Sequence, residues 1–149
     1  MKHLMKTKTL TRLCSAVLLT IASATALAGT PANTFNISAV NTQNYIINGQ
    51  NDPPLTLVRG QTYFFQMDNL AAIHPFWIKT MPSTGTGNGY SDGLTSNGPG
   101  VQGQSGNVLL TFVVPATAPN SLFYICQNHT NMTALISVVD DAILQNGFE

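Results

Sequence analysis

Leu122-Phe123-Tyr124-Ile125-Cys126-Gln127-Asn128-His129-Thr130-Asn131-Met132-Thr133 is the stretch on which the reading of this chain turns. Residues 122–126 are an apolar and aromatic run of strand length, and residues 134–139 resume as a second one after a polar break. Inside the break Cys126, His129 and Met132 recur as C-x2-H-x2-M. A turn between two strands therefore presents a thiol, an imidazole and a thioether on one side of a tight loop. A second imidazole, His74, lies about fifty residues upstream in Ile73-His74-Pro75-Phe76-Trp77-Ile78, at the start of another apolar run.

Working outward, short runs rich in Val, Ile, Thr and aromatics continue through the chain, bounded by Gly, Pro, Asn and Asp. They predict strands over 34–40, 44–47, 55–59, 62–68, 76–80, 108–114, 122–126 and 134–139. No segment keeps a 3.6-residue period. The fold class is all-β, a Greek-key sandwich or barrel of about eight strands. Asn48-Gly49, Asp52-Pro53-Pro54, Arg59-Gly60 and the Pro115 and Pro119 region supply the breaks. Residues 81–107 hold eight of the twelve glycines, too long for an ordinary connection. They form either a mobile excursion or a poorly marked strand. Asn88, Asp92 and Asn97 do not make a calcium loop of them, because one carboxylate is too few and the spacing matches no such loop.

Charged residues are only 8% of the 149, with 44% hydrophobic, which excludes coiled coil and charge-driven disorder and allows one core. Lys2, Lys6, Lys8 and Arg12 stand before or at the edge of an apolar stretch over 13–27, and Ala26-Leu27-Ala28 follows as a small-residue cleavage site. Residues 1–28 are thus expected to be a signal peptide cut after Ala28, with a domain over 29–139 and a short tail over 140–149. Export to the periplasm or the medium follows. Beyond residue 28 Arg59 and Lys79 face Asp52, Asp68, Asp92, Asp140, Asp141 and Glu149, a net charge of about minus four. Such a chain cannot hold a phosphate backbone, and anionic membranes are disfavoured once the signal is removed.

The exported chain keeps Cys126 alone among cysteines and only His74 and His129 among histidines. Singly, each has an ordinary reading: a buried small hydrophobe, a hydrogen-bonded core histidine, a gap-filling Met132. Jointly, C-x2-H-x2-M and the distant His74 absorb every His and the only Cys beyond residue 28. One thiolate and two imidazoles with a weak axial thioether is the ligand set of a type 1 copper centre, in which soft donors suit Cu(I) and imidazole suits both oxidation states. Zinc more often recruits a fourth strong donor, and no further Cys or His remains beyond residue 28. A Cys126 nucleophile with a His base lacks a resolving thiol and an orienting carboxylate. Two histidines also cannot furnish the additional centres of a multicopper oxidase.

On these residues the sequence resembles the cupredoxin family, over about residues 34–139, with a short amicyanin-like C-x2-H-x2-M loop. The resemblance implies a Greek-key β-sandwich and one copper per chain, cycling between Cu(I) and Cu(II), on His74, Cys126, His129 and Met132. It implies a one-electron carrier and not an enzyme, a monomer exchanging electrons with redox partner proteins through the edge of His129. Two other roles stand beside it: a copper storage or delivery module, and a metal-free interaction domain. The sequence departs from the family at Pro75, where many members carry Asn, so the upstream ligand must be fastened by other groups. The apolar residues from Pro75 to Trp77 suggest a docking face.

Overall fold

The computed structural model describes residues 33–141. The expected signal segment lies outside these residues, as does the tail beyond Asp141. The described chain holds ten strands and no helix: β1 (Thr34–Ala39), β2 (Tyr45–Ile47), β3 (Gln50–Asn51), β4 (Leu55–Val58), β5 (Thr62–Met67), β6 (Phe76–Lys79), β7 (Leu94–Ser96), β8 (Leu109–Val113), β9 (Ser121–Cys126) and β10 (Thr133–Val139). No helix there is long and apolar enough to cross a membrane. The strands form a six-stranded sheet, β3-β2-β1-β5-β8-β7, and a four-stranded sheet, β4-β10-β9-β6. β1 runs parallel to β5 and β10 parallel to β4, while the other neighbours are antiparallel.

Alternation decides which side chains enter the sandwich. In β5 Tyr63, Phe65 and Met67 are buried while Thr62, Phe64 and Gln66 are half-buried. Phe65, Phe76, Phe112, Leu57, Ile37 and Ile136 are fully buried in the core. Phe76 stacks on Tyr124 with ring centroids 5.9 Å apart and packs against Phe65 at the same separation. Such pairs add roughly 0.5–1.5 kcal/mol each beyond area burial.

All eight expected strands are present, with ends within one or two residues of their predicted bounds. β3 and β7 are additional. β3 has both residues exposed and is fixed by the hairpin at Asn48-Gly49, whose φ values of 50° and 83° suit a tight turn that follows the sheet twist. β7 is the strand hidden in the glycine-rich segment. Only Leu94 of its three residues is buried, so no periodicity marked it, and its pairing of Leu94 with Phe112 defines it.

The remainder of that segment covers the free edge of β6. Gln104 pairs with Phe76 and Gly89 with Lys79 as isolated bridges. The Gln102 carboxamide accepts from the Ile78 N–H at 2.9 Å and donates to the Ile78 carbonyl at 3.0 Å, standing in for a strand neighbour. Two glycines admit Trp77: a Cβ on Gly89 would sit 3.2 Å from the indole, and one on Gly103, whose φ is +67°, 3.3 Å from Nε1. Lys79 beside it is fully buried, donating to the carbonyls of Ser83 at 2.8 Å and Gly85 at 2.6 Å. Its ammonium lies 4.9 Å from the Trp77 ring centroid, and burial holds its pKa below the usual lysine value.

Candidate metal centre

Register brings the donors together. β6 and β9 pair with Phe76 opposite Cys126, so the residues just before β6 meet the end of β9. His74 stands in that position, two residues before Phe76, its N–H donating to Ala71 O at 2.8 Å. Beyond Cys126 the chain turns at once. The Cys126 N–H donates to Met132 O at 3.0 Å and the Met132 N–H to His129 O at 3.4 Å, which closes the loop over its own ligand positions.

His74 Nδ1 lies 3.2 Å from His129 Nδ1, and Cys126 Sγ lies 3.4 Å from His129 Nδ1. The three donor atoms all fall within 4.8 Å of one another, the one such group of three or more among the described residues. Nitrogen donors about 2.0–2.1 Å from one ion, at tetrahedral to trigonal angles, sit about 3.3–3.6 Å apart. The spacing thus fits a single first-row metal, and a thiol with two imidazoles fits copper. Both imidazoles converge through Nδ1.

The centre is dry on one side. Cys126 and Met132 are fully buried and His74 is 5% exposed, whereas His129 is half-buried. His129 looks into a surface depression of about 280 Å³ lined by Thr42, Gln43, Thr84, Asn128, Thr130 and Asn131. No charged side chain lines it. Burial, reinforced by the neighbouring His129, holds the His74 pKa below its usual value, which favours the neutral imidazole that a metal needs.

The structure also shows what fastens the segment that Pro75 leaves without an amide. Asn128 Nδ2 donates to Ile73 O at 2.9 Å, and the Gln127 N–H donates to Pro75 O at 3.0 Å. The Asn128 N–H points at Cys126 Sγ from 3.5 Å. Tyr45 Oη, 3.1 Å from His74 O and 3.2 Å from Pro75 O, donates to that pair. The Tyr45 hydroxyl is held far above its usual pKa, first by burial and then by the neighbouring Cys126. Gln127 Oε1 accepts from Trp77 Nε1 at 3.1 Å, and the Gln127 carbonyl accepts from the Gly85 N–H at 2.8 Å. The glycine-rich segment therefore backs the residue next to Cys126.

Sequence reasoning missed Tyr45, Gln127 and the side chain of Asn128. Tyr45 carries no local signal, being an aromatic in a short strand 29 residues from His74. Of the residues from Pro75 to Trp77 that suggested a docking face, Phe76 is fully buried while Pro75 and Trp77 are half-buried. The exposed apolar side chain beside the donors is Ile73, at 55%.

No family model and no curated protein matches the chain. Among solved structures it is similar to reduced rusticyanin, at 22% identity over 70% of this chain and 77% of that one, with a TM-score of 0.44. Rusticyanin from Thiobacillus ferrooxidans gives 21% identity, 70% and 75% coverage and a TM-score of 0.44. A multicopper oxidase from Pseudomonas thermotolerans gives 18% identity over 70% of this chain but only 28% of that one, with a TM-score of 0.42.

Proposed function

We propose that this chain is an exported mononuclear type 1 copper protein of the cupredoxin kind that carries single electrons between redox partners. The observation that carries the reading is the convergence of His74 Nδ1, Cys126 Sγ and His129 Nδ1 within 4.8 Å at one end of a β-sandwich. These three would hold the metal, and the thioether of buried Met132, in the same loop, would be a weaker fourth donor. Bound copper supplies a one-electron couple, and soft sulfur with borderline nitrogen donors suits both of its oxidation states. The chain's own part is to keep that donor set fixed. Cys126 ends a strand paired on both sides, by β6 and β10, and the loop bonds around Met132 restrain His129. A cradle that changes little between states lowers the cost of each transfer.

Buried donors also favour retention of the metal over delivery, since only His129 meets solvent directly. His129 is the edge through which electrons enter and leave, and the chain turns over no substrate. Export follows from residues 1–28, with cleavage after Ala28.

The test is a Cu(II) titration of the chain from Gly29, read by visible absorption and electron paramagnetic resonance, with Cys126→Ser as control. An intense thiolate-to-copper band, saturating at one copper and absent in Cys126→Ser, is the expected result. Copper bound without that band, or rapid loss of copper to a chelator, turns the reading toward storage. No binding at all leaves a metal-free interaction domain.

A further inference from the structure

His74 is held from within its own segment by one turn bond, its N–H donating to Ala71 O at 2.8 Å. It lies outside β6, and Pro75 after it offers neither an N–H nor a side-chain amide to pin it. Yet the carbonyls of three successive residues in this segment are all engaged. Ile73 O accepts from Asn128 Nδ2 at 2.9 Å, His74 O from Tyr45 Oη at 3.1 Å, and Pro75 O from the Gln127 N–H at 3.0 Å. None of these donors belongs to the segment itself. They come from β2 and from the loop that carries Cys126 and His129.

Both side chains are built to reach rather than to drift. Tyr45 is fully buried, its backbone N–H donates to Asp52 Oδ1 at 2.9 Å, and its ring meets Phe76 at 5.4 Å and Tyr124 at 6.2 Å between centroids. The hydroxyl at the end of so confined a ring has little freedom. Asn128 touches both halves of the centre: its backbone N–H faces Cys126 Sγ at 3.5 Å and its carboxamide crosses to Ile73. Groups that orient a ligand from behind are worth 10–100-fold in metal affinity in typical sites.

We infer that Tyr45 and Asn128 are the positioning residues of this centre, holding the backbone on either side of His74 so that its Nδ1 faces Cys126 and His129 before a metal arrives. The inference rests on the copper reading above for what is held, and on the hydrogen bonds alone for the holding. A buried tyrosine hydroxyl finds a partner in most cores. A purely structural Tyr45 would alter global stability and leave the metal centre and the exchange of the His74 amide as they are.

The experiment compares wild type, Tyr45→Phe and Asn128→Asp in the full exported chain. Tyr45→Phe keeps the ring and removes the hydroxyl. Asn128→Asp keeps the size and the N–H to sulfur, but an ionised carboxylate has no proton to give Ile73 O. Copper affinity and the paramagnetic resonance spectrum are measured, and amide exchange at His74 and Phe76 is followed in the metal-free protein. Each variant should lose 10–100-fold in copper affinity with an altered spectrum, and each should exchange the His74 amide faster while remaining folded. Wild-type affinity and spectrum in both variants would overturn the inference. If the wild type itself gives no thiolate band, the electron-carrier reading fails on its own, and metal-free exchange then decides: faster at His74 supports the clamp, unchanged overturns it. Should Tyr45→Phe unfold, Asn128→Asp, on an exposed residue, carries the same comparison.

Discussion

Phe76 and Cys126 sit directly opposite each other across the β6–β9 ladder. That one register pair converts a sequence separation of about fifty residues into contact, because His74 lies just before Phe76 and His129 just after Cys126. A one-residue slip would turn Phe76 out of the core and Cys126 away from His74. The full burial of Phe76 guards the register.

The two imidazoles differ in exposure, and so should the consequences of losing them. His129→Gly opens a gap at the half-exposed rim that free imidazole can fill, so added imidazole should restore the thiolate-to-copper band. His74→Gly leaves its gap beneath a surface where His74 is only 5% exposed, and added imidazole should restore little. Equal rescue of both variants in an absorption titration would contradict the observed burial.

Lys79 should give the protein an alkaline rise in stability. Its folded pKa lies below the ordinary 10.5, so between those two values the unfolded chain binds more protons and stability increases with pH. Below the folded value the cost of the buried charge is present in full. Tyr45 and Tyr124 act oppositely, since burial keeps their hydroxyls protonated beyond the ordinary 10.0, and the unfolded chain gains by losing those protons above it. Stability measured by denaturant unfolding should therefore rise and then fall across the alkaline range. Lys79→Met should lose the rise and keep the fall.

Gly103→Ala should be costly for its size. The position has a φ of +67°, and the new Cβ would meet Trp77 Nε1 at 3.3 Å. Backbone strain alone is about 1–2 kcal/mol. Trp77 is the one tryptophan of the chain, so its fluorescence reports the contact directly. A variant with unchanged stability and an unchanged emission spectrum would show that the glycine-rich segment does not seat the indole.

The depression at His129 is lined by amides and hydroxyls without a charged side chain. Electron self-exchange between oxidised and reduced copies approaching through this face should change by less than about twofold between about 0.15 M and about 1 M salt, where exposed charges more than about 8 Å from the face are screened. Asn131→Lys should introduce a clear salt dependence. A steep dependence in the wild type would place the contact elsewhere on the surface.

Much of the fold is legible in the sequence. Apolar runs bounded by turn residues marked eight strands, because a half-buried strand must alternate its side chains. β7 escaped because its pairing partner, and not its own pattern, makes it a strand. Tyr45 escaped for a similar reason: nothing within β2 says that its hydroxyl will end beside His74.

The sequence by itself determined the chemistry on offer. Beyond residue 28 a single cysteine and two histidines, with Met132 following in the same loop, leave few choices of donor, and residue type is a local property. Only the tertiary structure decided the placement: Phe76 against Cys126, the glycine-rich cover on β6, and the clamp of Tyr45 and Asn128 around His74. These depend on sheet order and on core packing between distant segments, which local periodicity does not encode.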